Sequence, residues 1–167
     1  MLGDPVEVAG FSDTPGEGIV TLATCGLADL GRKHGFARAD GYAQEFLLVI
    51  EGKYLTEDLP DFFFSVLIAY AEDHRLLQWD EAVRLRMNVP GSTDMSWLHP
   101  WPAVYFSDSF QSVSTAKGET ATCLMIPMRE DEALAASKLD VDELCEKLDQ
   151  LQPEVWALDR PRLDLGS

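Results

Sequence analysis

Basic residues are scarce in this chain. Thirteen lysines and arginines stand against twenty-nine aspartates and glutamates, which gives a formal net charge of −16 over 167 residues. A field of that sign repels the phosphates of nucleic acids and anionic membrane surfaces, and it attracts basic partners. The charge balance therefore argues against nucleic-acid binding. It is compatible with a basic protein partner and also with ordinary solubility.

Long apolar runs are also missing. The longest apolar window, Phe62 to Ala71, is interrupted by Ser65 and is too short to span a bilayer. The first residues, Met1 to Pro5, have neither the basic nor the apolar region of a signal peptide. We therefore expect no membrane association and a cytoplasmic location.

Cysteines are few and far apart. Cys25, Cys123 and Cys145 are odd in number, and no CxxC pair is present, which argues against a zinc ribbon. Each lies in or beside an apolar pattern. This pattern predicts buried free thiols in a reducing compartment.

Motifs that carry catalytic chemistry are absent. The histidines His34, His74 and His99 have no second histidine or cysteine at metal-ligand spacing, and no serine lies in a GxSxG elbow. The acids Glu130 to Glu132 fall in the first turn of a predicted helix, where the helix dipole favours negative charge. We expect a structural role for them, and no catalytic residue, cofactor or metal.

Apolar periodicity predicts an α+β domain, because strands and helices segregate without regular βαβ alternation. The predicted strands are Val6–Ala9, Ile19–Cys25, Phe46–Ile50, Arg84–Val89 and Thr122–Met128. The predicted helices cover Leu59 to Tyr70, Arg129 to Ser137, and the segment after Asp140. Asp140 and Glu143 have the spacing of a capping box at the start of the last helix.

Two segments are predicted to be irregular. Gly26 to Gly41 is rich in glycine and mixed charge, and Ser92 to Phe110 contains two prolines among many aromatic residues. Trp97, Trp101 and Tyr105 belong to the second segment. They admit two interpretations: anchors of a protein interface, or rings that cover one end of the core under a long loop.

Several short motifs, in a shared order, resemble the suppressor-of-fused (SUFU) domain family. They are Gly26-Leu27-Ala28-Asp29-Leu30, Glu45 to Val49, Leu59-Pro60 with Leu67 to Tyr70, Leu124 to Pro127, and Trp156 to Arg160. The resemblance implies a single SUFU-like domain over residues 1–167, with a central mostly antiparallel sheet packed by helices. It also implies an N-terminal element shortened before Val6 and a C-terminal tail over residues 152–167. A homodimer is one arrangement that would cover the first strand.

The resemblance implies binding rather than catalysis. Animal members clasp a partner peptide as an added strand between two halves, whereas bacterial single-domain members resemble immunity proteins that neutralise toxins. Asp40 falls near the acidic position that contacts the peptide in animal members. Gly31 stands where those members have a tyrosine, so that apolar contact is lost here.

We therefore predict a non-enzymatic protein-binding domain of the bacterial immunity type, whose partner is a basic toxin domain. The predicted contact residues are Asp29, Asp40, Glu45, Trp97, Trp101 and Tyr105. One alternative is an intracellular regulator that sequesters a partner peptide by strand addition, which requires an exposed sheet edge. A second is a hydrolase, which requires a deep pocket with a carboxylate of raised pKa beside another polar group.

Overall fold

The computed structural model describes residues 6–35, 37–39, 41–72, 76–79, 81–151 and 154–166. The described strands are β1 (Glu7–Ser12), β2 (Ile19–Cys25), β3 (Ala43–Glu51), β4 (Val83–Arg84), β5 (Trp97–Pro102), β6 (Ser112–Thr115) and β7 (Gly118–Met128). The described helices are α1 (Leu27–His34), α2 (Leu59–Glu72), α3 (Asp108–Gln111), α4 (Glu130–Ala136) and α5 (Val141–Leu151).

The strands form one mixed sheet in the order β1-β2-β3-β7-β5-β4, and β6 also pairs with β7. Only the central β3–β7 pair among these strands is parallel, with Phe46 opposite Cys123. The other pairings are antiparallel. The predicted α+β class and the mostly antiparallel sheet are therefore confirmed.

Strand β3 is apolar on both faces because helices cover both sides of the sheet. Phe46, Leu48 and Ile50 belong to a cluster that includes α1 and α2 residues. Leu47 and Val49 belong to a second cluster, which includes α4 and α5 residues. The sheet is thus the middle of three layers, with one apolar cluster on each face.

The predicted capping box of the last helix is confirmed. The Glu143 backbone N–H donates to Asp140 Oδ1 at 2.9 Å, and the Asp140 N–H donates to Glu143 Oε2 at 3.2 Å. These bonds satisfy N–H groups that a helix start leaves unpaired. The helix then places Leu144 and Leu148 in the core.

Other predictions were wrong in detail. The segment Gly26–Gly41 contains helix α1 rather than only loop, and Ser92–Phe110 contains strand β5 and the start of the single turn α3. The predicted strand Arg84–Val89 is regular only at Val83–Arg84. Beyond it, Leu85 and Val89 still donate backbone hydrogen bonds to the carbonyls of Ser96 and Met95, so the segment pairs irregularly with the residues that precede β5.

The cysteines divide by environment. Cys123 is buried and Cys145 is half-buried, but Cys25 at the end of β2 is exposed, which corrects its predicted burial. Burial also raises the pKa of the Cys123 thiol well above its ordinary value, so that thiol is protonated at neutral pH.

The described part of the predicted C-terminal tail, residues 154–166, packs against the domain. Val155, Ala157, Leu158 and Leu165 are buried, and the Glu51 backbone N–H donates to the Trp156 carbonyl at 3.1 Å. The predicted shortening of the N-terminal element concerns residues 1–5, which lie outside the described residues.

Candidate protein-interaction surface

Helix α1 is held at its start by an acid from a distant strand. Gly26, the residue before the helix, has a left-handed backbone and no side chain to cap it. Glu45 of β3 accepts hydrogen bonds from the backbone N–H groups of Gly26 (3.0 Å), Leu27 (3.3 Å) and Ala28 (3.0 Å). Its carboxylate therefore replaces the local cap and lies at the positive end of the helix dipole.

Burial raises the pKa of Glu45 above its ordinary value. The hydrogen bonds from Thr24 and from the helix N–H groups act in the opposite direction without cancelling that effect. Both oxygens of Glu45 face these donors. The predicted contact residue Glu45 thus acts here as an internal cap.

We expect Glu45→Ala to lower the free energy of unfolding by about 2 kcal/mol, because it leaves three N–H groups without their acceptor. Glu45→Gln should lose less, since the amide oxygen still accepts. Urea unfolding at pH 7 measures both. Asp29→Asn, on the exposed face of the same helix, is the control and should change stability by less than about 1 kcal/mol. Equal losses for all three variants would contradict the cap.

The second predicted acid, Asp29, lies in an ion-pair network on the surface. Its carboxylate contacts Lys117 Nζ at 2.8 Å and Arg32 Nη1 at 3.2 Å. The hydrogen bond from Lys117 holds the pKa of Asp29 below its ordinary value, and Arg32 adds to the effect. Asp29 is therefore ionised and exposed, with its charge locally offset by two cations.

Arg32 ties this helix to Gly41, just before β3, and to the start of β7. Its Nε donates to the Gly41 carbonyl at 2.9 Å, and Nη2 donates to the Glu119 carbonyl at 3.0 Å and to Thr120 Oγ1 at 2.6 Å. The predicted contact residue Asp40 precedes Gly41 and lies outside the described residues.

The aromatic residues mainly cover the core. Trp101 is only 4% exposed. Trp97 and Tyr105 are half-buried and pack against the α4–α5 cluster. Tyr105 makes an edge contact with Trp156, with ring centroids 5.3 Å apart. Burial also raises the pKa of Tyr105. Of the two interpretations given for these rings, core cover is the one that their burial supports.

The predicted contact residues do not form one patch. Glu45 lies opposite Thr122, whereas Trp97 lies opposite Met128 at the other end of β7. Six residues of strand separate these positions by about 20 Å. Asp29 and Glu45 therefore share one end of the sheet, and Trp97 occupies the other.

The acidic run in the first turn of α4 contributes to a buried ion-pair cluster. Glu132 Oε1 contacts Arg160 Nη1 at 2.8 Å and Arg129 Nη1 at 3.1 Å, and Arg160 Nη2 donates to Glu132 Oε2 at 2.8 Å. Arg129 Nε contacts Asp94 at 2.7 Å. The structural role predicted for these acids fits Glu132. Arg129 and Arg160, rather than mainly the helix dipole, stabilise its negative charge.

A shallow groove lies between β1 and the α3 segment. It has a volume of about 200 Å³ and is lined by Phe11, Thr14, Thr21, Phe106, Ser107 and Phe110. Phe11 and Phe110 are 47% and 41% exposed, and Phe106 and Phe110 stack with centroids 5.0 Å apart. We call it the Phe11 groove. Sequence reasoning missed it, because its walls come from segments nearly one hundred residues apart.

Three strands lie at sheet edges in the part of the chain that the structure describes: the two-residue β4, which pairs only with β5, and the longer β1 and β6. Strand β1 pairs with β2 on one side, and β6 pairs with β7 on one side, with no further strand beyond either. The strand-addition alternative requires such an edge.

The described residues contain no group of three or more histidine, cysteine or acidic side chains placed to hold a metal ion. Within the same residues, no helix has the length and apolar character needed to cross a bilayer. The hydrolase alternative requires a pocket around a carboxylate of raised pKa. Glu45 has the raised pKa, but its oxygens face backbone donors and the Phe11 groove contains no acid.

Comparison with known proteins identifies the family to which this chain belongs. The family model described as suppressor of fused protein (SUFU) matches residues 3–161, so the chain belongs to the suppressor of fused family. None of the curated proteins matches the sequence.

Three solved structures share the fold. Drosophila Suppressor of Fused has a TM-score of 0.61 at 16% identity, covering 95% of this chain and 42% of that chain. A Sufu–Fu complex gives 0.61 at 18% identity, covering 95% and 77%. A SUFU homolog from Neisseria gonorrhoeae FA 1090 gives 0.62 at 12% identity, covering 95% and 88%. This chain therefore spans less than half of the Drosophila protein.

Proposed function

We propose that this chain is a non-enzymatic protein-binding domain of the bacterial immunity type, which binds and neutralises a basic toxin domain in the cytoplasm. The observation that carries the proposal is the net charge of −16 on a SUFU-family domain. A Sufu protein of the same fold has been crystallised in complex with Fu, which supports protein binding. The bacterial homolog, 88% of which this chain covers, supports a role for the domain alone.

The environments of the buried acids support binding rather than catalysis. Glu45 caps α1, and Glu132 is bound by two arginines. A general acid or base must reach the proton that it transfers. Neither side chain lines the Phe11 groove.

The acidic surface would act mainly on the rate of encounter. Complementary charge raises association rates and makes them depend on salt, whereas buried apolar contacts set the lifetime of a complex. We retain Asp29 and Asp40 as proposed contacts, and we leave out Trp97 and Tyr105, because their half-buried rings cover the core. We leave out Trp101, because its ring is buried, and Glu45, because its oxygens face the helix start.

The test is binding to a purified toxin domain encoded beside this protein. We expect equimolar protein to abolish toxin activity and the association rate to fall at least about tenfold between 50 and 300 mM salt. Asp29→Lys should slow association more than Asp29→Asn, since it reverses a charge instead of removing it. An association rate that ignores both salt and these variants would remove the electrostatic part of the proposal.

The open edges of β1 and β6 favour one second candidate, a regulator that sequesters a peptide by strand addition. Backbone hydrogen bonds would then supply most of the affinity. A partner peptide without complementary charge would bind with an affinity that depends little on salt, which distinguishes this candidate from the basic toxin domain of the first.

A further inference from the structure

The Phe11 groove and the open edge of β1 lie side by side. Phe11 belongs to β1 and faces Thr21 of β2 across the ladder, and both side chains line the groove. Successive side chains of a strand alternate between the two faces of a sheet. A further strand along β1 would therefore place every second side chain next to the groove.

The groove is suited to apolar side chains rather than to a polar small molecule. Thr21 Oγ1 donates to the Thr14 carbonyl at 2.7 Å, and Ser107 Oγ lies 3.0 Å from Ser109 Oγ. These hydroxyls are thus already engaged within the protein, and the stacked phenylalanines supply the rest of the wall. At about 200 Å³ the groove is also smaller than usual small-molecule sites.

Charge indicates what kind of segment would bind. The two stretches that build the groove, residues 6–25 and 97–116, contain no lysine or arginine, and the first carries Glu7, Asp13 and Glu17. A basic segment would be attracted by these acids, because neither stretch contains a lysine or arginine that would offset their charge. A second copy of this chain would instead bring two net charges of −16 together.

We propose that β1 and the Phe11 groove form a docking site for an extended basic segment of a partner protein. The segment adds as a strand beside β1 and inserts an apolar side chain between Phe11 and Phe110. The inference rests on the proposed function, because it assigns a surface to the basic partner. Six residues of β1 set the length of the added strand.

This site is separate from the α1 end of the sheet. Phe11 is aligned through Thr21 with Val49, whereas Glu45 and α1 lie toward the start of β3. Four residues of β3 separate these levels by about 13 Å. Variants of the Phe11 groove therefore leave the Asp29 network untouched.

The probe is a fluorescein-labelled heptapeptide with capped ends, Lys-Val-Lys-Phe-Lys-Val-Lys, measured by fluorescence anisotropy with the full chain. One control peptide carries N-methyl groups on alternate backbone amides, which keep the charge but block a ladder. A second control replaces lysine with glutamate. We expect both to bind at least about tenfold more weakly, and amide NMR shifts caused by the parent peptide to centre on residues 7–12.

The variant Phe11→Ser should weaken binding of the parent peptide about tenfold, since it removes one wall of the groove. The matched control is Leu134→Ser, because Leu134 is also a large apolar residue, 50% exposed, but lies on α4. It should leave affinity unchanged. Equal binding of the parent and N-methylated peptides, or equal effects of the two variants, would overturn the proposal.

Two further measurements separate the failure of this site from the failure of the proposed function. They are the oligomeric state of the wild-type protein and of Phe11→Ser, and the binding and neutralisation of the toxin domain by both. If the wild-type protein is a dimer that Phe11→Ser dissociates, the occupant is a second copy and the basic-partner assignment fails. If the toxin domain is bound equally by wild type and Phe11→Ser, and the peptide is not bound, the site fails while the function stands. If the peptide is bound through Phe11 but the toxin is not neutralised, the function fails while the site stands.

Discussion

Glu132→Gln is expected to lower the free energy of unfolding by about 3–5 kcal/mol at pH 7, the usual cost of removing one partner from a buried ion pair. Glu132 is 1% exposed, and its carboxylate accepts from the side chains of Arg129 and Arg160 and from the Leu163 backbone N–H. The neutral amide leaves the buried guanidinium of Arg160 without its counter-charge, and Arg129 keeps only its pair with Asp94. Urea unfolding followed by circular dichroism measures the loss.

The same cluster predicts a dependence on pH. Burial acts to raise the pKa of Glu132, but the hydrogen bonds and charge of Arg160 outweigh it and hold the pKa below the ordinary value of 4.5. A carboxyl whose pKa is lower in the folded state stabilises the fold above its unfolded pKa and loses that contribution on acidification. The difference between wild type and Glu132→Gln should thus be full at pH 7 and shrink below about pH 4.5.

The neighbouring acid provides the control. Asp131 pairs with Arg162 at the surface, where both side chains are more than half exposed. Solvent screens such a pair, so Asp131→Asn should cost less than about 1 kcal/mol at any pH. Similar losses for Asp131→Asn and Glu132→Gln would contradict the expectation that the buried ion-pair cluster stabilises the fold more than the surface pair does.

Gly41→Ala is the second large effect, with an expected loss of about 3 kcal/mol. Gly41 has φ of +83°, which side chains other than glycine rarely adopt, and an added Cβ would overlap the Lys117 backbone carbonyl oxygen. The facing residue is also a glycine. A Cβ on Gly118 would lie 2.5 Å from the Gly41 oxygen. Two chain segments thus touch through backbone alone at this point.

Thermal and urea unfolding of Gly41→Ala, compared with Gly16→Ala, measure this contact. Gly16 lies in open space and is not among the glycines with positive φ. Its replacement should therefore be neutral or slightly stabilising, through the lower entropy of the unfolded chain. A loss for Gly41→Ala no larger than about 0.5 kcal/mol would contradict the tight approach.

Local sequence signals predicted the parts of the fold that depend on local contacts. The helix from Leu59 and the capping box at Asp140 and Glu143 were found because spacing within one turn determines them. The strand β7 was found from its continuous apolar run. Apolar periodicity gave the α+β class of fold, and the order of short motifs gave the family.

Helix α1 was not predicted because the residue that caps it, Glu45, lies on strand β3 and not next to the helix in the sequence. Nothing in the glycine-rich sequence of residues 26–35 provides an N-terminal side-chain cap, and Glu45 supplies it from β3. Two weak signals were present. Leu27 and Leu30 have helical spacing, and Arg32 and Lys33 lie in the last turn, where the dipole favours positive charge.

Strand β5 was missed because of Pro100 and Pro102. Proline cannot donate to a ladder and is therefore read as a break. Strand β4 pairs with β5 only at Trp97 and Leu98. At both prolines β5 therefore pairs with β7 on one side and has no β4 partner on the other, so β4 loses no hydrogen bond there. The Phe11 groove could not be predicted from the sequence, because only the tertiary fold brings β1 and α3 together.

The parallel pairing at the centre of the sheet has a consequence for synthesis on the ribosome. Strands β1 to β3 are complete by residue 51, but the neighbour that β3 needs begins at residue 118. During translation, a half-sheet with an unpaired apolar strand is therefore exposed until more than sixty further residues have emerged. Nascent chains of this protein thus expose the apolar surface and unpaired strand edge that chaperones shield, and slow elongation across residues 52–117 would lengthen that exposure.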